Sequence, residues 1–153
     1  MKNDPIPHQD HVSRWCKPSQ VDQGVVGITA FMLGEKDDDD ALSVNWLEFL
    51  KRPDRTSEIS EIQHILSLKM KKVSRNSRLA VLNVERILTS VDEYLKGKLQ
   101  VTVLHNPDKD EGRWEDPSHS SIYGLTRNDD AQIVATALRD AITEVHSATP
   151  DPI

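Results

Sequence analysis

Ile133, Val134, Ala137, Leu138, Ala141, Ile142 and Val145 recur at three- and four-residue steps, which gathers them on one broad side of a helix. Asn128, Asp129 and Asp130, just ahead, supply a helix start. A helix with one apolar side must be covered by another layer, so the character of the other apolar segments decides the fold class. Four of them are short runs. Val25 to Leu33 and Leu42 to Phe49 come first, and in the second Leu42, Val44 and Trp46 alternate with Ser43 and Asn45, as in a half-buried strand. Leu79 to Val84 is the third. Leu99 to Leu104 is the fourth, with Leu99, Val101 and Val103 on one face.

Two further helices fit between these runs. From Ser57 the residues Ile59, Ile62, Ile65, Leu66 and Met70 keep helical spacing, with Glu58 and Glu61 in the first turn and Lys69, Lys71 and Lys72 near the end. That order of charge complements the helix dipole. Ile87, Leu88, Val91 and Leu95 mark a short helix closed near Gly97. The first two strands are expected to pair as an antiparallel hairpin through the connector GEKDDDDA. Its Asp37 to Asp40 run is read as a solvated tip, because four consecutive carboxylates repel one another and calcium loops space their ligands at alternate positions.

The sum is an α+β fold: one domain, about four strands in a mostly antiparallel or mixed sheet, with two or three helices packed on it. Residues 1–10 are read as a flexible N-terminal arm, 11–147 as the single domain and 148–153 as a C-terminal tail. A chain of 153 residues suits one such domain. The formal charge of −6 does not favour a nucleic-acid binder. The lone Cys16 excludes an internal disulfide and a multi-cysteine zinc site. The N-terminal ten residues lack a signal-peptide apolar core, and no stretch has the roughly 20 apolar residues that span a bilayer. Together these point to a cytoplasmic protein with no membrane association.

The residues capable of chemistry concentrate in His105 to Gly124, read as one long polar loop following the fourth strand. His105, Asp116 and His119 are metal-ligand types, but they lack the tight local spacing of known zinc motifs; His8 and His11 form a close pair, but at the N-terminal arm, where the chain is read as mobile. No metal and no cofactor is expected, and the scattered glycines form no phosphate loop. Proton transfer is the more permissive chemistry: His119 as acid or base, Asp116 orienting it, and His105 and Arg14 in support. A serine nucleophile lacks its G-x-S-x-G elbow. His11-Val12-Ser13 and His119-Ser120-Ser121 are both H-x-S. On those six residues the chain resembles the two-histidine phosphoesterases, in which paired H-x-[Ser/Thr] motifs lie on central strands and face one phosphate. That resemblance implies phosphoester chemistry. Arg14 and Ser120 stand where that family has apolar residues, and Asp116-Pro117 places the second motif in a loop.

Trp114 stands in this polar stretch, where a core role is hard to justify, and with Arg113 and Tyr123 forms a candidate partner-binding surface. Cys16 has no neighbouring base and is expected to be an ordinary buried thiol. The favoured function is therefore an interaction protein, an accessory subunit or regulator acting through a protein partner. A small hydrolase or phosphoesterase using His105, His119, Asp116 and Arg14 is the alternative. Nucleic-acid contact through Lys71, Lys72, Arg75 and Arg78 ranks third, since that segment has no aromatic side chains to stack bases.

Overall fold

The computed structural model describes residues 3–34 and 41–150; the Asp37 to Asp40 run lies outside them. In chain order the elements are β1 (His11–Cys16), β2 (Val21–Asp22), β3 (Val25–Val26), β4 (Leu42–Trp46), α1 (Arg55–Lys69), β5 (Arg78–Asn83) and α2 (Val84–Tyr94). They continue with β6 (Thr102–His105), β7 (Asp108–Asp110), β8 (Trp114–Asp116), β9 (His119–Tyr123), α3 (Ala131–Asp140) and β10 (Ile142–Ser147). The α+β class stands, with three α-helices among the described residues. The main sheet has six strands rather than about four, in the order β10-β5-β1-β4-β9-β6. Every neighbouring pair in it is antiparallel. Among the described residues no helix is long and apolar enough to cross a membrane.

The register explains where the core sits. Val12, Cys16, Leu42, Val44, Ala80, Leu82, Val103 and Ile122 join Ile87 and Val91 of α2 and Val134 and Leu138 of α3 in the larger core. On the opposite face Leu79 and Val81 join Leu47 and the α1 residues Ile59, Ile62, Ile65 and Leu66 in a second core. Strand β5 is thus covered on both sides. This is why Leu79 to Leu82 is an unbroken apolar run instead of an alternating one. Helix α1 starts at Asp54, whose carboxylate accepts from the Ser57 N–H at 2.8 Å, and α2 starts at Asn83, which accepts from the Arg86 N–H at 3.1 Å.

Four expectations are corrected. The first two apolar runs do not form a hairpin: β4 pairs with β1 and β9. Of Val25 to Leu33 only Val25–Val26 is strand, and Ile28–Phe31 is a 3-10 turn that buries Ala30 and Phe31. Second, His105 to Gly124 is not one loop but a small hairpin, β7 with β8, followed by the interior strand β9. Strand β9 reads HSSIY, and its polarity hid it. Its hydroxyls are satisfied locally, with Ser120 Oγ donating to the Ser118 carbonyl at 3.0 Å and Ser121 Oγ accepting from Asn106 at 3.3 Å. Third, the C-terminal helix stops at Asp140, and Ile142–Ser147 becomes β10 on the open side of β5. Ile142, Thr143 and Val145 are β-branched, and with an unfilled sheet edge beside them the strand wins. Fourth, the fourth run begins its strand at Thr102, not Leu99.

The two outer edges of the sheet are treated differently. Residues 3–6, within the stretch read as an arm, lie along β6: Pro5 bridges to Leu104, the Ile6 N–H reaches the Val103 carbonyl at 3.1 Å, and Ile6 is buried. At the other edge, among the described residues, no strand or backbone segment pairs with the outer side of β10.

Candidate functional site

The base of the β7–β8 hairpin is held by two imidazoles acting reciprocally. A His105 ring nitrogen, Nε2, lies 2.7 Å from the Pro117 carbonyl, and His119 Nδ1 lies 2.7 Å from the Asn106 carbonyl. A carbonyl oxygen only accepts, so His105 carries its proton on Nε2 and His119 on Nδ1. In neutral His119 the lone pair is then on Nε2, which has no hydrogen-bond partner among the described residues. His105 pairs in register with Ser120, so its ring leaves the sheet on the face opposite to that of His119. There it packs with Phe49 and Trp46, ring centroids 4.7 and 5.3 Å away. His119 is 8% exposed.

Asp116 is fully buried. Its Oδ1 accepts from Asn45 at 2.7 Å and from Ser118 Oγ at 3.3 Å, and its Oδ2 from Lys69 Nζ at 2.8 Å. The carboxylate therefore ties the end of α1 to β4 and β8. The Lys69 ammonium also sits 4.8 Å from the centre of the Trp114 ring. Trp114 is half-buried, so part of its surface is spent inside the molecule. Arg113 is exposed and pairs with Asp110 at 3.3 Å, while the Tyr123 hydroxyl accepts from Asn106 at 3.5 Å.

Of the sequence-derived acid–base group, Asp116 and His119 share one end of β9 without a hydrogen bond to each other, and His105 faces the other way. Arg14 is in register on the face opposite His119 and donates to the carbonyls of Ala30 at 3.0 Å and Ser43 at 2.9 Å. Both H-x-S motifs lie on strands of one sheet, which corrects the loop placement of the second. Strand β4 runs between them, so they are two strands apart, about 10 Å sideways. His11 Nδ1 is separately engaged by Glu48 Oε2 at 2.7 Å. Burial pushes the Cys16 thiol up to about 11, against the lowering effect of Arg14, so it is an inert core thiol. Among the described residues no group of three His, Cys, Asp or Glu side chains is placed to hold a metal ion. Lys71 and Lys72 follow the end of α1, and Arg75 and Arg78 lead into β5, where Arg78 donates to the carbonyls of Arg75 and Ser77.

The feature that sequence reasoning missed is β10. Its residues alternate in the direction of their backbone groups. The Ala148 N–H points inward to the Ser77 carbonyl at 3.4 Å, so Val145 and Ser147 turn their N–H and C=O groups outward. The Ser147 carbonyl indeed accepts from Gln63 of α1, on the outer side, at 2.9 Å. Val145 is 43% exposed. Beside it, Glu144 binds both His146 at 2.8 Å and Arg55 at 3.2 Å. Burial alone would raise the Glu144 pKa, but those two partners outweigh it and hold the carboxyl below its ordinary value. Glu58, bound to Arg55 at 2.7 Å, is shifted upward instead, by burial first and by the nearby Glu48. Comparison with protein families, with curated proteins and with solved structures finds no match.

Proposed function

We propose that the chain is a cytoplasmic interaction protein, an accessory subunit or regulator, and that it engages a protein partner by adding a strand to the open edge of its main sheet. The observation that carries this is the contrast between the two edges: β6 is covered by residues 3–6, whereas on the outer side of β10 Gln63 reaches the Ser147 carbonyl and, among the described residues, no strand covers the exposed Val145. Natural proteins blunt an edge with proline, charge, a β-bulge or a covering segment. Strand Ile142–Ser147 contains neither proline nor lysine; its register shift is confined to the Ile142–Glu144 end, and its one acid, Glu144, is paired with Arg55 and His146, which leaves Val145 as the unprotected position. Strand addition draws affinity from main-chain hydrogen bonds and specificity from alternate side chains. Trp114, Arg113 and Tyr123 take a secondary place in this reading, since all three already have intramolecular contacts.

The test is a photo-crosslinking side chain placed at Val145, with Ile133, an exposed residue on α3, as the control position. A polypeptide adduct specific to position 145, whether with this chain or another, supports strand addition, provided the purified complex is lost in Val145→Pro. That substitution removes an outward N–H and leaves the bonds to β5 intact. Equal labelling at both positions, or a complex indifferent to Val145→Pro, overturns it.

The enzyme reading keeps one favourable observation, the Nε2 of His119, which has no hydrogen-bond partner among the described residues. Loss of a phosphodiester- or ester-hydrolysing activity in His119→Gln, with folding retained, would support it. Identical activity would remove it.

A further inference from the structure

We infer that the strand added to β10 is β10 of a second copy of the chain, paired antiparallel about a two-fold axis through Val145. The inference rests on the strand-addition reading above and names its partner. The backbone restricts the choice first. Outward groups must meet outward groups, and on the regular part of the strand, beyond the register shift between Ile142 and Glu144, these belong to Val145 and Ser147. A two-fold axis then passes through residue 144, 145 or 146. An axis through Glu144 sets two carboxylates directly opposite each other, and an axis through His146 stacks the two imidazoles; like charges directly opposite destabilise a strand pair. An axis through Val145 places Val145 against its own copy on one face. On the other face it sets Glu144 against His146 of the second copy, twice by symmetry.

That register matches what the strand already displays. Glu144 and His146 attract within one chain at 2.8 Å, and the two-fold axis repeats the attraction between chains. Along the rim, Arg55 of α1 is neutralised by Glu144 of the edge strand, and the α1 residues beyond it, Thr56, Ser60 and Gln63, are uncharged. A second α1 brought alongside by the two-fold meets hydroxyls and amides over that stretch. The contact is isologous, so it closes at two copies and leaves no free edge. It joins two six-stranded sheets into one continuous sheet.

Two measurements test it. Sedimentation equilibrium of the full chain, 17.3 kDa, should show mass rising toward twice that value with concentration. Val145→Pro should weaken the association by about tenfold or more, because each copy loses a hydrogen bond to the other, and its far-ultraviolet spectrum should match the wild type. For the register, Val145→Cys sets the two substituted residues opposite each other about 5.5 Å apart between Cα atoms, within disulfide reach. Mild oxidation should therefore cross-link it much faster than Ser147→Cys, whose own copy is displaced along the strand from it; buried Cys16 does not compete. A wild type that stays monomeric at every concentration overturns the inference, as does equal cross-linking at the two positions. In either case an adduct at Val145 with a different protein would leave the strand-addition reading standing.

Discussion

Asp116 should be held in place by Lys69 at a measurable cost to either partner. The carboxylate is fully buried and receives three donors: Lys69 on one oxygen, Asn45 and Ser118 on the other. Lys69→Met keeps the aliphatic stem and removes the charge. Breaking a buried ion pair from one side costs about 3–5 kcal/mol. Here two neutral donors remain and the Lys69 side chain is itself 20% exposed, so the lower end applies, about 3 kcal/mol. Asp116→Asn turns an amide toward the ammonium, donor against donor, and should cost about 2 kcal/mol. Combining the two substitutions removes the mismatch, so the double variant should be less destabilised than the sum by about 1.5 kcal/mol or more. Urea unfolding followed by tryptophan fluorescence reads all three; at a slope of about 2 kcal/mol per molar, Lys69→Met moves the midpoint down by about 1.5 M. A cost below about 1 kcal/mol for Lys69→Met, or single effects that add within about 0.5 kcal/mol, would refute the reasoning.

Gly124 has φ of +91°, and a Cβ there would lie 2.6 Å from the Gln100 carbonyl oxygen, so Gly124→Ala should cost about 2 kcal/mol or more and lower Tm by several degrees; an unchanged Tm rejects the clash. Cys16, its thiol raised to about 11, should resist a thiol reagent at pH 8 in the native protein and react once the chain is unfolded; rapid labelling of the native state contradicts its burial. The Glu144 carboxyl is held below its ordinary 4.5, so its contribution is present above that pH and is lost as pH falls through the lower folded value. Glu144→Gln should therefore flatten the acid limb of a stability–pH curve below about pH 4.5, and parallel curves for variant and wild type would show that its partners add nothing.

The parts of the fold legible in the sequence are those whose buried faces are filled by apolar side chains. Helices α1 and α2 and strands β4 and β5 were readable because apolar spacing or apolar runs declare what is buried. Strand β9 was not, because serine and histidine side chains fill an interior strand by bonding to nearby backbone and to Asn106, and such bonding leaves no hydropathy signal. Strand β10 was not, because Ala141, Ile142 and Val145 satisfy a helical stripe as well as a strand, and only the vacancy beside β5 decides between them. The stretch His105 to Gly124 reads as one loop and is a hairpin followed by an interior strand. His105, Asp116 and His119 are neighbours along the chain, but strand parity sends the two rings to opposite faces. Their shared task is to hold the base of a hairpin that no local spacing announces.

Strand β10 is reached by the growing chain only after the other five strands of the sheet. Until then β5, whose side chains are covered on both faces, has a row of outer backbone groups with no neighbour. Each molecule made on a ribosome therefore passes through a stage in which its most apolar strand is also its open edge. Any delay or truncation before Ile142 would prolong that stage and offer Leu79 to Leu82 to other chains, so the final strand protects the protein during synthesis as well as completing the sheet.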